Sequence, residues 1–255
     1  MTSHARDPKL PSEPSAAEKI SGEAPGVLVF VPTFNDNARA SELAQEISAE
    51  SPDYRSLVID DGSDTSVQSG AAGDTGLQVR LPDNFGLGTV THIAFDHALS
   101  AGYSAVVRID GDGQHRISDI PRLLEPIQDG TADLVVGTRT NHRARGSVLR
   151  SAAKIYFSFL ARAITRGRAP SDINTGFFAA NRTAMALLNQ FTLERYPEPQ
   201  LIVIACREGL RVRQVDIEQQ ERLQGRSTLG VVQAMRMFYR FNVFVINELI
   251  RGRRS

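Results

Sequence analysis

Residues 104–115 read Ser-Ala-Val-Val-Arg-Ile-Asp-Gly-Asp-Gly-Gln-His, and the layout of the whole chain follows from this stretch. Ser104–Ile109 reads as a strand that runs directly into Asp110-Gly111-Asp112-Gly113-Gln114. Two carboxylates one residue apart at a strand end can reach one hard divalent cation, directly or through water. The flanking glycines let the backbone come close to phosphate oxygens. Asp-x-Asp alone also occurs in ordinary surface turns, so its surroundings decide what it means.

Those surroundings repeat the same arrangement. Val27–Val31 is a continuous apolar run, as expected of a buried parallel strand, and it ends in Pro32-Thr33-Phe34-Asn35-Asp36. Ser56–Ile59 leads a second strand into Asp60-Asp61-Gly62-Ser63. Leu77–Leu81 and Ala132–Val136 read as further strands, followed by Asn84-Phe85-Gly86-Leu87-Gly88 and Val136-Gly137-Thr138-Arg139. Helical spacing marks Ala38–Ser48, with Asn35, Asp36 or Asn37 able to cap it, and also Thr89–Ala101 and Ile120–Gln128. Strands alternating with helices predict right-handed crossovers and a mostly parallel sheet. Ligands of such sheets bind beyond the strand carboxyl ends, where each carboxylate cluster falls.

The second half is more helical. Val148–Thr165 and Leu201–Glu208 read as helices, Leu210–Val215 as a strand, and Leu229–Ile250 as a long amphipathic helix. Gln233, Arg236, Arg240, Asn247 and Arg251 share one face of the last helix. Val231, Val232, Met235, Phe238, Phe241, Val245 and Leu249 form its apolar face. Residues 1–25 hold four prolines and almost no large apolar groups, so they are expected to be a disordered tail.

Composition bounds the function. With 41% hydrophobic and 23% charged residues among 255, wholesale disorder is excluded. No uncharged run exceeds the 12 residues of Asn84–Phe95, short of the roughly 20 that a membrane span needs. The 29 basic and 29 acidic residues cancel overall, yet residues 1–140 hold 10 basic against 21 acidic and residues 141–255 hold 19 against 8. The basic residues are dispersed among helices beside a metal-type carboxylate site, which argues against nucleic-acid binding. The single cysteine, Cys206, is expected to be a buried structural thiol. The histidines lack metal-ligand spacing, and Gly86-Leu87-Gly88 lacks the third glycine of a dinucleotide fingerprint.

Taken together, the strand-end motifs resemble those of family 2 glycosyltransferases, most closely the branch of dolichyl-phosphate mannosyltransferases and bacterial polyprenyl-phosphate glycosyltransferases. Arg150-Ser151, Asp172-Ile173-Asn174-Thr175-Gly176-Phe177, Tyr196-Pro197-Glu198-Pro199 and Glu221-Arg222-Leu223-Gln224-Gly225-Arg226-Ser227 extend the resemblance from about Gly26 to Leu229. It implies a GT-A fold, a Rossmann-like nucleotide-diphospho-sugar transferase domain at 26–228, followed by an amphipathic helix and basic tail at 229–255. Pro32, Thr33, Asp36 and Asp60 would hold the base and ribose of a nucleoside-diphosphate sugar. Asp110, Asp112 and Gln114 would surround Mg²⁺ or Mn²⁺. Arg139, Arg150, Ser151, Asp172, Arg222, Arg226 and Ser227 would line the anionic and acceptor side, where guanidinium forks suit phosphate.

The expected reaction is inverting transfer to a polyprenyl phosphate. Transfer to a saccharide or other hydroxyl, with Glu198 as general base, stays open, since Gly209 follows Glu198 at the eleven-residue spacing seen with acidic bases of the wider family. A non-catalytic nucleotide-sugar-binding protein is the alternative of another class. Phe178, where the branch carries Arg, and Gln200, where it carries an acid, depart from the pattern, as does Ala94 at a common glycine position. The terminal helix would lie in a lipid interface, pack on the domain or meet a homodimer partner. The resulting expectation is a cytoplasmic protein, peripheral on the inner face of the plasma membrane.

Overall fold

The computed structural model describes residues 26–64, 76–111, 115–139, 148–217 and 231–251. Among these residues, seven strands form one sheet: β1 (Val27–Thr33), β2 (Tyr54–Asp60), β3 (Gly76–Arg80), β4 (Ala105–Arg108), β5 (Leu134–Arg139), β6 (Phe178–Asn181) and β7 (Val212–Ile217). Seven α-helices among the described residues flank them: α1 (Asn37–Glu50), α2 (Leu87–Ser100), α3 (Ile120–Gln128), α4 (Val148–Ile164), α5 (Arg182–Leu188), α6 (Glu198–Arg207) and α7 (Val231–Arg251). The strand order is β3-β2-β1-β4-β6-β5-β7. All pairings are parallel except those of β6, which runs antiparallel to both β4 and β5.

Alternation along the strands divides the core in two. On β1, Leu28 and Phe30 face a layer containing α2 and α4–α7, while Val27, Val29 and Val31 face α1 and α3. All seven β1 residues are buried, so a strand covered on both faces carries an unbroken apolar run.

The parallel sheet and the first-half elements match the sequence reading. The segment Phe178–Leu188 does not: a short strand and a helix stand where the sequence reading assigned no element. Asn181 makes the turn between them, accepting a hydrogen bond from the Ala184 amide at the start of α5. The third helix of the second half also starts earlier than expected, at Glu198, because Pro199 sits in its first turn, where a missing N–H costs nothing.

The terminal helix packs on the other helices along one face. Phe157 of α4 meets Phe241 edge-on at 5.1 Å between ring centroids, and Arg207 of α6 pairs with Glu248 at 2.9 Å. The expected apolar face is therefore split: Phe241 and Val245 are buried, whereas Met235, Phe238 and Leu249 are exposed. The side chains of Val231 and Val232 lie outside the described residues. Cys206 is buried as expected, and burial pushes its thiol up to about 11.

Three strands are tied together at Asp133, just before β5. Its Oδ2 accepts from the Arg211 amide and Nε, both at 2.9 Å, and its Oδ1 accepts from Arg211 Nη2 and Asn181 Nδ2. Arg211 holds the carboxyl well below the usual range, against the opposing effect of burial. A lowered folded-state pKa stabilises above the unfolded value of about 4, and that contribution is lost as pH falls through the folded value. Asp133→Asn is therefore expected to lower Tm at pH 7 by roughly 4–8 °C. The gap from wild type should narrow below about pH 4; a gap independent of pH in thermal melts would contradict this.

Candidate functional site

The carboxyl ends of the parallel strands β1, β2, β4 and β5 share one edge of the sheet. Because β6 is reversed, its amino end lies at that same edge, with Phe178 in register with both Arg108 and Val136. The turn at residues 172–177 is thereby delivered to the strand-end crevice.

At the β1–β2 end, two loops are clasped. Asn35, with φ 60°, donates its amide to Ser63 Oγ at 2.7 Å, and its side chain exchanges two hydrogen bonds with Asp64. Asp60 is buried beneath them. Its Oδ1 accepts from the Ser63 amide and hydroxyl, its Oδ2 accepts from Asn37 Nδ2 at 3.0 Å, and Arg80 Nε lies at 3.6 Å. Thr33 Oγ1 and Asn37 Oδ1, next to this carboxylate, are buried without a hydrogen-bond partner among the described residues. Such groups are costly to bury unless a ligand satisfies them.

Asp61 does a different job. Its two oxygens accept from the Phe85 and Gly86 amides, each at 2.8 Å, fixing the loop that opens α2. Burial pushes its carboxyl above the ordinary value, against the pull of those two N–H groups. Gly86 and Gly88 are needed there: a Cβ would come within 2.5 Å of Arg195 Cγ at one and 2.3 Å of the Glu194 carbonyl at the other.

The centre of the crevice is Arg108, 1% exposed. Its Nε and Nη2 donate to Asp110 Oδ1 at 3.1 and 2.8 Å, and its Nη1 donates to Glu198 Oε1 at 2.8 Å. Burial disfavours the guanidinium charge, but the two carboxylates outweigh it and raise its pKa. Asp110 lies over Gly176, where a Cβ would stand 2.2 Å from Oδ2. Behind them, His115 stacks on Phe177 at 4.8 Å.

Of the residues singled out from the sequence, Pro32, Thr33, Asp36 and Asp60 lie at the β1–β2 end. Asp36 stands at the N-cap of α1 but makes no side-chain capping bond. Asp110 and Glu198 are joined through Arg108, and Asp172 is buried, its Oδ1 accepting from the Asn174 amide. Arg139 ends β5, and Arg150 and Ser151 lie in the first turn of α4, but their side chains are outside the described set. Asp112, Gln114, Arg222, Arg226 and Ser227 lie outside the described residues altogether.

Two departures from the family pattern have structural explanations. Phe178 turns into the core, edge-on to Phe30 and Phe95. Gln200 is buried and accepts from the Glu194 amide at 2.8 Å, tethering the loop before α6. The sequence reading missed Arg108 and the holding role of Asp61. For Arg108 the signal was present: a cation inside an otherwise apolar strand needs a partner.

Of the expected cation ligands, Asp110 is the one among the described residues, and its carboxylate is the donor type that a hard divalent cation takes. Asp110 offers carboxylate oxygen at the strand edge, and the glycine opposite leaves it room. Among the described residues, no cluster of three or more His, Cys, Asp or Glu could hold a metal without 112–114. Gly176→Ala is expected to push the Asp110 carboxylate off Arg108 and to lower any activity that uses it about 10²-fold. Wild-type activity in that variant, with Asp110 still on Arg108 in a crystal structure, would contradict this.

Comparison with known proteins agrees with this geometry. The family model for glycosyl transferase family 2 matches residues 28–187. Polyprenol monophosphomannose synthase of Mycolicibacterium smegmatis is 31% identical over 197 residues, covering 68% of this chain and 71% of the relative. Undecaprenyl-phosphate mannosyltransferase of Micrococcus luteus is 33% identical over 118 residues, covering 44% and 48%. Among solved structures, glucosyl-3-phosphoglycerate synthase from Mycobacterium tuberculosis, in complex with Mn²⁺ and UDP-glucose, superposes with a TM-score of 0.65 at 21% identity. That match covers 87% of this chain and 78% of that one, and it confirms the expected GT-A fold. The chain belongs to glycosyl transferase family 2 and is a glycosyltransferase.

Proposed function

We propose that the chain transfers a sugar, with inversion, from a nucleoside-diphosphate sugar to a polyprenyl phosphate. The observation that carries this reading is the meeting of three motifs at one crevice: Asp110 over Gly176 and joined by Arg108 to Glu198. The two relatives named for polyprenyl-phosphate mannosyl transfer support the acceptor.

On this reading the base and ribose lie at the ends of β1 and β2, against Pro32, Thr33 and Asp36. Thr33 Oγ1 and Asn37 Oδ1 are the buried polar atoms that a base edge would satisfy. Asp60 holds Asn37 and the Ser63 turn and is assigned to accept from the base imino N–H. Asp110, Asp112 and Gln114 would hold Mg²⁺ or Mn²⁺, which supplies charge to stabilise the departing diphosphate. Arg139, Arg150, Ser151, Asp172, Arg222, Arg226 and Ser227 are assigned to the acceptor phosphate. A phosphate nucleophile is already anionic and needs no base, so Glu198, tied to Arg108, shapes the donor sugar site. The competing reading makes Glu198 the base for a hydroxyl acceptor.

A lipid acceptor places the enzyme at a membrane surface, peripheral on the inner face, with residues 229–255 in contact. No described helix is long and apolar enough to cross a membrane. The outer face of α7 nevertheless exposes Met235, Tyr239, Ile246 and Ile250, flanked by Arg236, by Arg240 paired with Glu194 and by Arg251 paired with Glu208, while its one acid, Glu248, is buried on Arg207. This pattern suits an anionic interface better than open water.

With Mn²⁺ and detergent-dispersed polyprenyl phosphate, radiolabelled UDP- or GDP-sugars should give a lipid-extractable product. Asp112→Ala should abolish both turnover and metal-dependent donor binding. Label appearing on a saccharide alone would overturn the acceptor assignment. Glutamate at Tyr239 and Ile250 together should cut co-sedimentation with anionic vesicles about fivefold or more. Undiminished co-sedimentation, or a dimer that the same changes dissolve, would sink the membrane contact.

A further inference from the structure

Arg108 stands between the two sides of the crevice. One fork of its guanidinium takes Asp110, next to the donor, and the other takes Glu198 at the start of α6. Arg108 is almost wholly buried and Glu198 is only 12% exposed, whereas Asp110 is 31% exposed, so water screens the Arg108–Glu198 contact poorly and the Asp110 contact better. Lysine could not replace this group, because a point charge on a flexible stem does not hold two carboxylates in fixed directions.

We propose that Arg108 is a positioning residue that joins the cation side of the donor site to its sugar side and makes cation binding depend on the nucleotide. It locks Asp110 and Glu198 in one arrangement. It also offsets their negative charge, so a bare divalent cation meets a weakened field and enters well only with a diphosphate that brings its own charge. The inference rests on the metal-dependent donor reading above and adds to it a residue that the sequence motifs do not contain.

The test uses the full chain and reads binding, so it does not depend on knowing the acceptor. Mn²⁺ affinity would be measured by electron paramagnetic resonance or calorimetry, alone and with UDP or GDP, for wild type, Arg108→Gln and Arg108→Lys. Wild type should bind Mn²⁺ weakly alone and more tightly with one of the nucleotides. In R108Q two carboxylates lose their counter-charge, and bare Mn²⁺ should bind about tenfold tighter or more. A merely structural role predicts the opposite sign, because a loosened crevice binds less. R108K keeps the charge and loses the fork. Its bare Mn²⁺ affinity should stay near wild type, while nucleotide affinity at saturating Mn²⁺ falls about tenfold.

Bare Mn²⁺ binding in R108Q no tighter than in wild type would overturn the proposal. If R108Q does not fold, wild-type nucleotide affinity in R108K would overturn it instead. A wild-type chain that binds no Mn²⁺ with either nucleotide would overturn the metal reading and this role together, whereas failure of lipid transfer alone leaves the binding result standing.

Discussion

A guanidinium buried almost completely must be neutralised where it sits, and the organisation of the crevice follows from how Arg108 meets that demand. Leaving such a charge unpaired would cost about 3–5 kcal/mol. Asp110 follows Arg108 by two residues, just past the end of β4, so half of the neutralisation is local. The other half comes from Glu198, 90 positions later, which draws the start of α6 to the end of β4. One buried charge thus brings two distant motifs of the sequence into contact.

Sheet topology provides the rest. Parallel strands bring the loops after β1, β2, β4 and β5 to one edge, but a fully parallel sheet would send the residues before β6 to the opposite edge. Reversing β6 places Gly176 beneath Asp110 and stacks Phe177 on His115. Glycine is required at 176 for close approach rather than for backbone freedom. The clasp between Asn35 and Asp64 and the grip of Asp61 on Phe85 and Gly86 then hold the remaining loops around the same opening.

Much of this was legible in the residues themselves. Val27–Val31 announces a strand covered on both faces, and each Asp-rich turn after a strand marks the ligand edge. Phe178–Leu188 was not legible, because a four-residue strand followed by a seven-residue helix is too short for either periodicity to emerge. Strand direction leaves no local trace either, so the reversal of β6 shows only in the pairing. Arg108 was overlooked because a charge in an apolar run looks like an interruption until its two partners are seen around it. The apolar pattern of α7 was read correctly as amphipathic. Which apolar residues it buries depends on where α4 and α6 lie, and periodicity alone does not fix that.

The opposed charge of the two halves, 21 acids against 10 bases and then 8 against 19, also takes on a physical meaning. The acidic half contains the proposed donor and cation site, and the basic half contains, apart from Arg139, the arginines proposed to meet phosphate and an anionic surface. On the proposed function, one crevice holds cation and donor together beside Arg108. A crystal structure of the chain with Mn²⁺ and a nucleoside diphosphate tests it most directly. The base should lie against Thr33 and Asn37, the diphosphate and Mn²⁺ at Asp110–Gln114, and Arg108 should remain on Glu198. Nucleotide bound away from the β1–β4 strand ends, or Mn²⁺ bound without contact to Asp110 or Asp112, would contradict it.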